Sequence, residues 1–502
     1  MNRWSTLTPF LASLVLLAVS LISDNASAAV NFKQIKVETD FKITHPAEIA
    51  HFVGSEKNQV ALIGEYETGE RVLTIYEITD NGIFKQINHA IIPDSFLAYD
   101  ILQNGVKQKL IFKTKDSLLQ FDLEDNLFKP FLKIDSIYLR HKAQFLVRKD
   151  FIRDLNNDDL EDIVIPDFRG VHIYLQSKTG DFVHQQLPIE PKVQVNAESV
   201  TYNERPLFFA DFNLDKRTDI IIVKEKGLLV FPQLESGEFK IDSLAIELPI
   251  NVSDLNWWEI RESDGQQIDQ NKLAHKKVDK IEDINNDGVA DLFVRFSKSD
   301  GVFDRQNDYE IYLGKKISNK TQYSSTPDSI IRADGTIGEL KTIDIDNDKI
   351  QELLVSSFDI GVTQIIGALL SGAIDQDIFI FKMKEDGAYP ESPNVDKEVE
   401  MRFSLSSGKS GNPVVRLADF DGDGRKDLLF SSGEKRLKIY QGTDKSRIFE
   451  RRSKRFNVTI PKDGTFVDIH DFNKDGKEDV FIRYGRQDDQ SLVNQLILFM
   501  AI

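Results

Sequence analysis

From residue 31 onward the chain is built of short apolar runs, five to eight residues long, with Gly, Asn, Asp and Ser clustered between them. Runs of this length bounded by turn-formers predict β-strands. Residues 413–460 show the unit. PVVRLADF enters an acidic loop, KDLLFSS leaves it, RLKIYQG is a third strand and RFNVTIP a fourth. Four such strands in about 50 residues are the repeat of a propeller blade.

The acidic loop between the first two strands is the most informative pattern. In DFDGDGRKDLLF the acids Asp419, Asp421, Asp423 and Asp427 stand at positions one, three, five and nine, with Gly424 at position six. Carboxylates packed this closely repel one another unless a cation lies among them. Hard oxygen ligands on a flexible loop suit Ca²⁺, with the carbonyl of position seven as a further ligand. An EF-hand opens similarly, but its last acid comes three residues later and a helix follows. Here an apolar, strand-forming run follows at once.

The loop recurs. The corresponding ligand sets are Asp471, Asn473, Asp475 and Asp479; Asp283, Asn285, Asp287 and Asp291; Asp154, Asn156, Asp158 and Asp162; Asp211, Asn213, Asp215 and Asp219; and Asp344, Asp346, Asp348 and Glu352. Two degenerate copies start at His51 and Asp100. The eight copies predict an all-β, eight-bladed β-propeller with up to six Ca²⁺ sites, seven blades being the alternative. Position six should take φ > 0, which glycine accepts without strain. Asp159, Lys216 and Lys349 stand there in three loops, at an expected cost of ~1 kcal/mol each.

The ends predict how the ring closes. After the last loop come DVFIRYG and LVNQLILFMAI, and the chain stops one strand short of a blade. NFKQIKVETDFK, residues 31–42, precedes the first blade and resembles the fourth strands IFKQINHAII and LFKPFLKID. It is expected to complete the last blade, which removes an open sheet edge and ties the termini together.

Charge and composition refine this. The net charge is −18, and the ligand positions of the six loops hold 20 of the 81 acidic residues. The acidity is therefore largely a metal-site signature, and it argues against nucleic-acid binding, which needs a basic face. Residues 1–28, with Arg3, an apolar middle and Ala26-Ser27-Ala28, read as a signal peptide. The single propeller domain then spans 30–502, the protein is exported to the periplasm or beyond, and no transmembrane segment remains. There is no cysteine, so bound metal takes the place of a disulfide framework.

DFDGDGRKD, DFNKDGKED and DINNDGVAD resemble the Ca²⁺ loops of the FG-GAP/VCBS repeats found in the integrin α-subunit propeller and in many bacterial secreted proteins. The resemblance covers the mature chain and is faint in its first two repeats. It implies a β-propeller with Ca²⁺ at the first hairpin of each blade.

Meander connectivity then separates two faces. The acidic hairpins share one face with the three-to-four turns. Most long insertions, including 250–275 and 357–377, fall on the other. Segment 384–398 is an insertion on the Ca²⁺ face and reads as a solvated loop. Segment 357–377 reads as a helix packed on the propeller or as a docking surface. Trp257 and Trp258 are candidate ligand contacts, because adjacent tryptophans cannot both point inward along one strand. GKS at 408–410 lacks the first glycine of a phosphate loop, no G-x-S-x-G occurs, and the eight histidines show no zinc spacing. No catalytic residue is assigned. The expected function is a Ca²⁺-binding module or scaffold for an unidentified protein or glycan, bound opposite the metals. A polysaccharide lyase or a lectin on the same scaffold is the alternative.

Overall fold

A computed structural model describes residues 30–502 except 55–57, 79–82, 105–106, 140, 196–198, 270, 272, 300–304, 333–335, 359–372, 405–408, 411 and 446. Eight sheets stand as the blades of an eight-bladed β-propeller. The first strands of blades 1 to 7 are Glu48–Ala50, Ala98–Asn104, Ile152–Arg153, Phe208–Ala210, Leu273–Glu282, Thr336–Ile343 and Val415–Ala418. Blade 8 starts at Val467–His470 and ends at Gln495–Ala501. Its fourth strand is Phe32–Glu38, antiparallel to Gln495–Ala501 from the pair Phe32 and Ala501 to the pair Glu38 and Gln495. The amino-terminal segment therefore closes the ring as the sequence predicts. It then crosses to blade 1, where Lys42–Ile43 pairs with Gly64 and Glu65.

Eight apolar clusters fill the eight interfaces between neighbouring blades. The closing interface between blades 8 and 1 joins Phe472, Phe481 and Leu498 to Val60, Leu62 and Val72, with Ile35, Val37 and Ile43 of the amino-terminal segment. Second strands are buried on both sides, as in DIVIPD and DLLFS. That explains why they read as continuous apolar runs.

A belt of hydrogen bonds links the hairpins of successive blades. The carbonyl of loop position two accepts a donor from the next blade in five of the six acidic loops: Leu155 from Gln233 Nε2 (3.0 Å), Phe212 from Thr321 Oγ1 (2.8 Å), Ile284 from the Gln351 amide (2.8 Å), Ile345 from the Lys426 amide (2.7 Å) and Phe472 from Asn58 Nδ2 (2.7 Å). In blade 7 the acceptor is position one, Asp419, with the Glu478 amide as donor at 2.7 Å.

Segment 384–398 is a largely exposed loop as far as Asn394, with one buried residue. Its last residues begin the strand Val395–Ser404, and Tyr389 is only 4 % exposed, donating to the Gln351 carbonyl at 2.6 Å. An aromatic side chain in the cleft between blades 5 and 6 has more to gain from burial than from water. A second insertion shares that face. The hairpin Lys315–Ile317 with Lys320–Gln322 lies between the third and fourth strands of blade 5, and it carries the Thr321 donor to blade 4. Most of segment 357–377 falls outside the described residues, as do residues 1–28.

Candidate metal centres

Each acidic loop is a hairpin between the first and second strands of its blade, and all six therefore lie on one face. Position nine opens the second strand. Asp162, Asp219, Asp291, Glu352, Asp427 and Asp479 are at most 1 % exposed. One carboxylate oxygen of each accepts the amide of position two, from Leu155, Phe212, Ile284, Ile345, Phe420 and Phe472, at 2.8 to 3.2 Å. In the five aspartates the other oxygen accepts an amide just after the third strand or at its end, from Gln176, Gln233, Gly314, Gly442 and Ala501. This residue thus fixes the hairpin mouth to the third strand, a role its spacing does not reveal.

Positions one and five shape the rest of the loop. The position-one carboxylate accepts the amide of position six in all six loops, for example Gly424 to Asp419 at 2.8 Å. Position five accepts the amide of position seven. The backbone then enters the left-handed region twice. Position six has φ from +64° to +85° in all six loops, including Asp159, Lys216 and Lys349. Position four does the same at Asn157, Leu214, Asn286, Asn347, Gly422 and Lys474. The sequence marks that second turn only by its Asn and Gly content.

Burial and the neighbouring carboxylates hold the position-nine acids toward their neutral form. Asp162 and Asp219 are pushed up to about 6, and Asp291, Glu352, Asp427 and Asp479 to about 7, desolvation being the largest cause in each. A divalent cation among these oxygens would reverse that balance.

The loops differ in how well their oxygens converge. Asp419, Asp421 and Asp423 bring one oxygen each within 4.8 Å of one another, as do Asp344, Asp346 and Glu352. In three loops with Asn at position three, its amide nitrogen donates to the position-five acid: Asn156 to Asp158, Asn285 to Asp287, Asn473 to Asp475. The fourth such loop is Asp211 to Asp219, where Arg217 pairs with Asp215 at 2.5 Å. Asp471 Oδ1 is buried with no hydrogen-bond partner among the described residues, an acceptor that a cation would satisfy. Loop 419–427 fits Ca²⁺ best. Its oxygens are hard, acidic and convergent, and its nearest side-chain donors are the neutral Gln441 and the flanking Arg425.

The degenerate copies have other uses. Asp100 lies in a strand, and its Oδ2 accepts the amides of Phe151 and Ile152 at 2.8 and 2.9 Å while Arg148 pairs with its Oδ1 at 2.5 Å. Gln59 and Gln108 stand at position nine, and their side-chain oxygens accept the amides of Val53 and His51. Gln59 thus ties its own hairpin without needing a cation, whereas Gln108 ties blade 2 to the loop of blade 1.

On the axis side of blade 2, Val147–Arg148 adds a short parallel strand to Ala98–Tyr99. Ser253 makes the same kind of parallel bridge to Lys277 in blade 5. From there segment 250–275 continues into a 3-10 turn, Trp257–Glu259, capped by Glu259 accepting the Asn256 amide at 2.6 Å. The indole rings of Trp257 and Trp258 meet edge to face at 5.4 Å, and Trp258 is 48 % exposed.

Residues 405–482 match the family model of the FG-GAP-like repeat, a span that includes the loops of blades 7 and 8. No curated protein matches the chain. Among solved structures the chain is similar to an Agrocybe aegerita protein described in the "structural basis of specific recognition of non-reducing terminal N-acetylglucosamine" (12 % identity, 85 % of this chain and 94 % of that one, TM-score 0.38). It is also similar to a protein from Lactobacillus plantarum (12 % identity, 72 % and 97 %, TM-score 0.32). A third is a putative 6-phosphogluconolactonase from Bacteroides uniformis (9 % identity, 77 % and 92 %, TM-score 0.33).

Proposed function

We propose that this chain is an exported, Ca²⁺-stabilised propeller that binds a protein or glycan on the face opposite its acidic hairpins. The observation that carries the metal part is the convergence of Asp419, Asp421 and Asp423 in a loop whose backbone is already turned inward by Asp427. Side chains brought together before the ion arrives lower the cost of binding it. The reading of the opposite face rests on its long inter-blade links and on the exposed Trp258, a flat amphipathic surface suited to stacking on a sugar or a side chain.

Extracellular Ca²⁺ modules have Kd of ~10⁻⁴–10⁻³ M. At millimolar Ca²⁺ each filled loop then adds ~0.4–1.4 kcal/mol, so several together are comparable with a domain's net stability. The test is a thermal melt with and without chelator at low salt. A fall of many degrees supports the reading, and an unchanged melt removes it. Glycan arrays and affinity capture with a Trp258→Ala control address the ligand.

A lyase on the same scaffold would need uncommitted cations facing an acidic sugar. Arg148, Lys149, Arg205 and Arg295 instead hold Glu48, Glu204, Asp254 and Asp279. A search for unsaturated products from pectic polymers separates a binding module from that enzyme.

A further inference from the structure

The loop Asp344 to Glu352 departs from the other five, and its departures share one cause. We propose that this loop takes no divalent ion: the ammonium of Lys382, a residue of the same blade, is its built-in cation. The proposal rests on the Ca²⁺ reading of the other loops.

Lys382 follows the third strand of blade 6, Ala373–Phe381. Its Nζ is hydrogen-bonded to Asp346 at position three and lies 3.7 Å from both Asp348 at position five and Glu352 at position nine. The ammonium thus sits among three of the loop's four acids. Two of the three acids that converge within 4.8 Å of one another, Asp346 and Glu352, meet it, while the third, Asp344, is held by the amides of Asp348 and Lys349. Carboxylates gathered this closely need a positive charge, and here the chain supplies one.

The strand registers identify the corresponding residue in each of the six blades that carry an acidic loop. Leu353 pairs with Phe381 and Leu428 with Tyr440, so Lys382 corresponds to Gln441. The same alignment places Leu175, Pro232, Leu313 and Met500 at this point in blades 3, 4, 5 and 8. Those four blades carry Asn at position three, namely Asn156, Asn213, Asn285 and Asn473. The two blades with Asp at position three carry a donor: Gln441 donates to Asp421 at 2.7 Å, and Lys382 bonds Asp346. A polar partner occurs only where position three has a carboxylate, and only in blade 6 is that partner charged.

Glu352 fits the same arrangement. In the five aspartate loops both position-nine oxygens are held by backbone amides. The longer side chain keeps the amide of Ile345 at 2.9 Å but leaves Oε1 buried without a hydrogen-bond partner, facing Lys382. A cavity of about 220 Å³ beside the loop is bordered by Asp346, Glu352 and Lys382 together with Arg425 and Lys445 of blade 7. Arg425 and Lys445 are held there by Asp423 and Glu450, so the cation that faces the acids of this loop is Lys382.

The test compares the full chain with Lys382→Gln, which copies the Gln441 and Asp421 pair of blade 7. Equilibrium dialysis against Ca²⁺ should show one more ion bound per chain in the variant than in the parent. In chelator the variant should melt below the parent, because it has lost its internal cation, and added Ca²⁺ should narrow that gap. Equal ion counts in the two proteins would overturn the proposal. If neither protein binds Ca²⁺, the metal reading of all the loops fails. The chelator melt then decides about Lys382 alone: a lower melt for the variant upholds it as the loop's cation, and coincident melts reject it.

Discussion

The side-chain amide of Asn58 donates to the main-chain carbonyl of Phe472 at 2.7 Å, across 414 residues of sequence. Asn58 belongs to the degenerate loop of blade 1 and Phe472 to the acidic loop of blade 8, so this bond closes the inter-blade belt. In blades 6, 7 and 8 a backbone amide is the donor to the preceding blade. Asn58→Ala leaves a buried carbonyl without a donor, which costs about 1–3 kcal/mol. Urea unfolding should show that loss. Unchanged stability would mean that the closing interface is held by its apolar cluster alone.

Asp427 is expected to matter even without metal. Its two oxygens accept the amides of Phe420 and Gly442 at 3.2 and 2.7 Å, and the residue is 1 % exposed. Asp427→Ala in chelator strands two buried donors and should cost roughly 2–5 kcal/mol. Asp423→Ala, whose carboxylate is partly exposed, should cost far less in chelator and show its main effect only when Ca²⁺ is added. Equal losses for the two variants in chelator would contradict a structural role for position nine.

Leu214 holds φ at +64° where three other loops have asparagine. A branched side chain in the left-handed region costs roughly 1–2 kcal/mol, and asparagine costs less. Leu214→Asn should therefore raise the denaturant midpoint, by about 0.5–1 kcal/mol. A lower midpoint would show that the packing of Leu214 outweighs its backbone strain.

Lys113 is fully buried in blade 2, and its Nζ has no hydrogen-bond partner among the described residues. It lies 4.9 Å over the Tyr138 ring. Burial pushes its pKa down to about 8, which Lys149 reinforces and Glu204 opposes. Below pH 8 both folded and unfolded chains carry the proton, and the folded state bears the full cost of the buried charge. That cost lifts as pH rises from about 8 toward the free-lysine value of about 10.4. Lys113→Met should stabilise the protein at pH 7 by up to about 3 kcal/mol, with the advantage vanishing near pH 10.5. A difference between the two proteins that is independent of pH would refute the buried-charge account.

Trp258 is half exposed and makes one edge-to-face contact with Trp257. Trp258→Ala should leave the melt nearly unchanged while removing most of the fluorescence accessible to iodide. A large loss of stability would make it a structural residue and not a ligand contact.

Much of this was legible from the order of residues because it is local. The six nonapeptides carry their own turn chemistry, and continuous apolar runs such as DIVIPD and DLLFS announce strands buried on both sides. The blade count followed from repetition, and the missing strand at the carboxyl end predicted the use of residues 31–42. The tertiary structure decided what depends on neighbours distant in sequence. Position nine became a clamp because two backbone amides from separate strands converge on it. Tyr389 was buried because blades 5 and 6 meet there. Lys382 came among Asp346, Asp348 and Glu352 because strand register brings the end of a third strand to the mouth of the first hairpin. Spacing along a chain reports side-chain direction within one element; which groups meet across elements is set by the packing of eight sheets around one axis.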